Sequence, residues 1–142
     1  MNRTAFFLIV GGGILIVILM GRKLVSPTLE SMARAIMDFE GYFQGSASQR
    51  NNNPGNLKFA GQTGAVGRDN QGHAIFNTFE DGWNALINQL KIAFTGHSTI
   101  YSPTDTLRSF FSKYAEANSE PYAKFVADRL GVTPDTRLID IA

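Results

Sequence analysis

Apolar positions along the chain fall into two unlike patterns. Residues 5–21, AFFLIVGGGILIVILMG, form an unbroken apolar run without a charge. From residue 26 onward the apolar positions recur at intervals of three and four, the spacing that gives a helix one buried face. Ser26-Pro27 is a helix-start pair, with Ser as N-cap and Pro at the first helical position. Leu29, Met32, Ala33, Ile36 and Met37 follow at helical spacing, and Gly41 and Gly45 end this first helix near Tyr42. Leu57-Lys58-Phe59-Ala60 and Ala74-Ile75-Phe76 are strand-like patches separated by the turn Asp69-Asn70-Gln71-Gly72, which predicts a small hairpin. Thr78 can cap a helix whose apolar stripe is Trp83, Leu86, Ile87, Leu90 and Phe94. Pro103-Thr104 opens another helix, through Leu107, Phe110, Phe111 and Tyr114. Ser119 caps the last, with Tyr122, Phe125, Val126 and Leu130 buried and Gly131 closing it. The expected fold is mostly α with a small β-hairpin, an α+β domain over residues 26–142.

The run over residues 5–21 predicts one N-terminal transmembrane helix, with residues 1–25 as a membrane anchor. A 17-residue helix reaches roughly 25 Å, slightly short of a hydrocarbon core of about 30 Å, and Arg3, Arg22 and Lys23 can snorkel to extend it. Two other readings are a cleaved signal peptide and a buried core helix. Leu19-Met20-Gly21-Arg22-Lys23 is a poor small-residue cleavage site, and an all-round apolar helix suits a small domain badly. The expected partner of residues 5–21 is therefore a lipid membrane. The basic residues on its two sides are too balanced to set an orientation.

Length and charge narrow the remainder. A chain of 142 residues can bury one core. Thirteen basic and twelve acidic side chains nearly cancel, which offers nothing to a nucleic-acid backbone. Cysteine is absent, which excludes disulfides and thiolate metal sites. His73 and His97 lack the spacing of a zinc motif, so neither metal nor cofactor is expected.

One stretch concentrates candidate chemistry. Glu40 lies among Phe39, Tyr42 and Phe43, with Arg34 the one basic residue within nine positions. An apolar, aromatic setting disfavours the charged carboxylate and raises its pKa, which suits a general acid at neutral pH. The plain alternative is a solvated acid at a helix end, mildly opposed by the helix dipole. Eleven residues on comes the polar turn Asn51-Asn52-Asn53-Pro54-Gly55-Asn56. Its amides suit hydroxyl and acetamido groups of a carbohydrate, while Asn51 or Asn53 bonding its own backbone is the structural alternative.

Phe39-Glu40-Gly41, the turn from Arg50 to Leu57, Gly72-His73-Ala74-Ile75-Phe76, Glu80-Asp81-Gly82-Trp83 and the stretch from Asn118 to Leu138 occur in an informative order. Together they resemble the phage virion-associated lytic transglycosylase-like proteins of the lysozyme superfamily, over roughly residues 29–138. The resemblance implies a lysozyme-like domain that degrades peptidoglycan by cutting between N-acetylmuramic acid and N-acetylglucosamine. It implies that Glu40 protonates the bridging oxygen, then takes the proton from the muramoyl C6 hydroxyl as that group attacks to leave a 1,6-anhydro end. Such chemistry needs one carboxylate, whereas most hydrolases use two. After Glu40 the next acid is Asp69, which can still fold back as a partner, so a hydrolysing muramidase stays open.

The resemblance also implies substrate-binding positions. Asn53 and Asn56 match the loop beside the glutamate; Phe76 and Tyr114 are candidates for sugar faces, and Tyr122 for supporting Glu40. Core packing is the alternative for each aromatic. Glu80 suits its helix N-terminus and Trp83 the core, while His73 stands where a large apolar residue is usual in such proteins. The expected partners are peptidoglycan strands and, through the anchor, a membrane with other virion membrane proteins, without nucleic acid. The expected place is a virion internal membrane, acting on host periplasmic peptidoglycan during genome delivery or lysis. A non-catalytic, glycan-binding structural protein of the virion is the reading from another class.

Overall fold

The computed structural model describes residues 5–10, 13–18 and 27–141. In chain order these form strands β1 (Ala5–Val10) and β2 (Gly13–Ile18), helices α1 (Pro27–Phe39) and α2 (Ala47–Arg50), and strands β3 (Ala65–Arg68) and β4 (Ala74–Phe76). Helices α3 (Phe79–Phe94), α4 (Leu107–Tyr114) and α5 (Ser119–Leu130) follow, with a 3-10 turn at Leu138–Asp140. The chain is mostly helical with small two-stranded antiparallel sheets, an α+β arrangement.

The expected transmembrane helix over residues 5–21 is overturned. β1 and β2 pair as an antiparallel hairpin, Ala5 opposite Ile18 and Val10 opposite Gly13. No helix among the described residues is long and apolar enough to cross a membrane. The physical reason is in the run itself. Phe, Ile and Val favour extended backbone, and glycines in the middle cost a helix roughly 1 kcal/mol each. A Gly-Gly pair between two such segments is a hairpin signal, one that apolarity alone conceals.

α1 packs against α5 and α3, and α4 against α5. Their shared core contains Met32, Ile36, Leu86, Leu90, Leu107, Phe110, Phe111 and Val126, all fully buried. The expected N-cap Ser26 lies outside the described residues. α1 ends at Phe39, three residues before Tyr42, because Gly41 adopts φ +71°. The Tyr42 amide then reaches back to the Met37 carbonyl and the Gly41 amide to that of Asp38, a Schellman termination. Glu40 is thereby the cap residue, turned out of the helix.

The sheet beside this helix end differs from the expected hairpin. β4 pairs with β3, over residues 65–68, and Lys58 makes only an isolated bridge to His73. The turn Asp69–Gly72 sets that register. Asp69 Oδ1 accepts from the amides of Gln71 and His73, which closes the connection tightly between Arg68 and Ala74. Thr78 caps α3 by accepting from the Asp81 amide. α4 starts later than Pro103, at Leu107, with Thr106 as its cap, and α5 follows Asn118 in a left-handed conformation.

Candidate active site

Glu40 leaves the end of α1 at one side of a cleft of about 1180 Å³. Phe39 stacks on Tyr122 with ring centroids 4.0 Å apart, and Tyr122 stacks on Phe111 at 4.3 Å. This aromatic layer is the seat of the carboxyl group. The Tyr122 hydroxyl donates to Glu40 Oε1 at 2.9 Å. Burial pushes the Glu40 pKa up; hydrogen bonds from Tyr122 and Asn56 and the charge of His73 pull it part-way back, while Glu116 pushes it up. The result is a carboxyl that holds its proton above the usual range yet has donors ready for the anion.

The structure separates the expected site residues sharply. Asn53 is fully buried: its amide nitrogen donates to the carbonyls of Leu57 and Ala74, and its oxygen accepts from the Leu57 amide. It holds the turn and has no donor left for a sugar. Asn51 donates to Asp69 Oδ2 and Asn52 to the Phe76 carbonyl. Of the four asparagines, only Asn56 reaches the cleft, where its Oδ1 is buried without a partner. Phe76 is buried in β4 and does not line the cleft. Tyr114 lines it, but its hydroxyl is committed to the Gly55 carbonyl at 2.6 Å. Burial raises the Tyr114 pKa well above the usual tyrosine value, so it stays neutral. Tyr122 is 2 % exposed and lines the cleft through the hydroxyl it commits to Glu40.

Asp69 does not fold back toward Glu40. Burial raises its pKa, but the His73 amide, the Asn51 side chain and the Gln71 amide outweigh that and hold it at about 2. It is a turn-building carboxylate.

Other residues also enter the cleft. His73 is buried and lines it, with Nδ1 3.4 Å from Asp69 Oδ2 and not in hydrogen-bonding geometry. Glu116, from the loop between α4 and α5, lines the cleft and pairs with Lys58 at 2.5 Å. That bond holds the Glu116 pKa below the usual carboxylate value. Helix α3 adds Asp81, Asn84 and Asn88 to one wall. Their spacing marks a polar stripe opposite Leu86 and Leu90, a signal present in the sequence. Glu116 and His73 carry no such signal, because tertiary folding alone brings them beside Glu40. Among the described residues no group of three or more His, Asp and Glu side chains is placed to hold a metal ion.

Comparison with protein-family models, curated proteins and solved structures found no match to this chain.

Proposed function

We propose that the protein cleaves the glycan strands of peptidoglycan, as a lytic transglycosylase with Glu40 as its acid and base. The observation that carries this reading is the Glu40 carboxyl itself. It is seated on an aromatic layer, receives a hydrogen bond from Tyr122, and opens on a long cleft with amide groups along its wall. Clefts of this size exceed what a single small ligand fills and suit a polymer.

With Oε1 accepting from Tyr122, the transferable proton sits on Oε2. It passes to the oxygen joining muramic C1 to the next sugar, and the C1–O bond breaks with positive charge developing at C1. The carboxylate left behind is stabilised by Tyr122 and Asn56. It then takes the proton of the C6 hydroxyl, whose oxygen bonds to C1 and closes the 1,6-anhydro ring. Glu40 ends protonated as it began, and no water is consumed. On the resemblance to virion-associated proteins, we propose that this cleavage serves genome delivery or lysis by a phage.

Hydrolysis is the second reading, favoured by one observation: Glu116 lines the same cleft and is held ionised by Lys58. Paired carboxyl groups with pKa values driven apart are the usual equipment for activating water. Mass spectrometry of released muropeptides separates the two, since transglycosylation leaves 1,6-anhydro ends and hydrolysis leaves reducing ends. The test of the shared core is Glu40→Gln, expected to abolish clearing of peptidoglycan in a gel with the fold intact by circular dichroism. Undiminished clearing by that variant would sink the assignment of Glu40.

A further inference from the structure

The charged groups that line the cleft are not equivalent. Lys113 is tied down, with Nζ 2.7 Å from the half-buried Asp105 and 3.2 Å from the Ile100 carbonyl. Lys58 differs. Its backbone is fixed by the bridge to His73, flanked by the Ala74-to-Leu57 and Phe59-to-Gly72 hydrogen bonds. The Gln71 carbonyl takes one of its ammonium N–H groups at 2.9 Å. Its charge partner is Glu116, which also lines the cleft, and the two side chains are 49 % and 69 % exposed. An anchored cation thus meets a solvated carboxylate in the lining of the cleft. Exposed ion pairs contribute little to stability and are readily exchanged. A strand that carries an anion can displace Glu116 from this ammonium.

We propose that Lys58 is a specificity residue that binds a carboxylate carried by the glycan strand, with Glu116 as the carboxylate that occupies it at rest. This rests on the reading of the cleft as a peptidoglycan site. Two sources of carboxylate exist on such a strand: the lactyl group of muramic acid once its peptide is removed, and the stem peptide while it is attached. A neutral polymer of N-acetylated sugars offers Lys58 no anion in exchange for Glu116. The pair therefore selects for acidic strands.

The experiment measures binding of three strand preparations to the full chain, in the Glu40→Gln background so that binding is read without turnover. The preparations are peptide-bearing strands, amidase-stripped strands, and stripped strands whose lactyl carboxylates have been amidated. The expected result is tighter binding of carboxylate-bearing strands by about tenfold, the size of one charge-assisted hydrogen bond. Lys58→Met brings that ratio toward one, Lys58→Arg keeps it, and Glu116→Gln widens it by removing the resident competitor. A preference shown by stripped strands assigns the lactyl carboxylate; one confined to peptide-bearing strands assigns the stem. Equal binding of all three preparations overturns the proposal, as does a Lys58→Met chain that keeps the full ratio. The catalytic reading fails separately: carboxylate-selective binding by a wild-type chain that cuts no strand sinks catalysis and leaves the Lys58 assignment standing.

Discussion

Tyr122 and Asn56 divide the work around Glu40 in ways that single substitutions can expose. Tyr122→Phe keeps the ring stacked between Phe39 and Phe111 but removes the donor to Oε1. That hydrogen bond lowers the Glu40 pKa against the effect of burial. Its loss raises the pKa further, so the alkaline limb of kcat/KM shifts to higher pH. The plateau falls by about tenfold or more, because the carboxylate formed on proton transfer loses a charge-assisted hydrogen bond. A pH–rate profile checks both effects, and an unmoved limb removes Tyr122 from the acid's environment. The candidate acid and the polar turn were legible in the sequence, because aromatic neighbours and an asparagine run are local signals. The division of labour among the asparagines was not. Asn53 and Asn56 differ only in what tertiary structure places around them: three backbone groups for Asn53, the cleft for Asn56.

That difference belongs to the element that joins α1 to the sheet. Asn53→Ala leaves the carbonyls of Leu57 and Ala74 and the amide of Leu57 without their buried partner. A loss of about 3 kcal/mol or more is expected in urea denaturation, from several unsatisfied groups at once. Asn56→Ala costs less, about 1 kcal/mol for an alanine forced into the left-handed backbone at φ +49°, and changes the site. Gly82 gives a prediction in which two principles oppose each other. Helix propensity alone makes Gly82→Ala in α3 stabilising by about 1 kcal/mol. A Cβ there would lie 1.8 Å from the Asn52 carbonyl oxygen, so α3 and the turn have to separate. The expected outcome is destabilisation by about 2 kcal/mol or more, since the obstacle is backbone. An unchanged denaturation midpoint would show that the turn yields freely. The helices were legible because apolar spacing and capping residues act within one segment: Thr78, Leu86, Leu90 and Gly131 sit where the pattern puts them. The strands were less so. Leu57–Ala60 and Ala65–Arg68 are similar in apolarity, and the Asp69 turn, not the strand composition, selects the second. The same holds for the run over residues 5–21, where apolarity suggested a spanning helix and residues 5–10 and 13–18, rich in β-branched side chains, pair as antiparallel strands.

At the scale of the whole molecule, the candidate acid is a burden on folding that pH can reveal. The Glu40 pKa is raised in the folded chain, chiefly by burial. A carboxyl with a folded pKa above its unfolded value binds its proton more tightly when folded. Its favourable contribution is complete below the unfolded pKa, near 4.5, and is lost as pH rises through the folded value. Above that window the folded chain either carries a poorly solvated charge or resists its formation. Glu40→Gln is neutral at every pH and keeps an oxygen for the Tyr122 hydroxyl. Its melting temperature at pH 8 is therefore expected to exceed that of the wild type by roughly a few degrees, the scale set by a domain of this size. The gap should narrow as pH falls and close below the unfolded pKa. Thermal melts of the two chains across pH 4 to 8 check the sign. A difference independent of pH would mean that Glu40 is as well solvated folded as unfolded, and the physical case for it as a general acid would go with it.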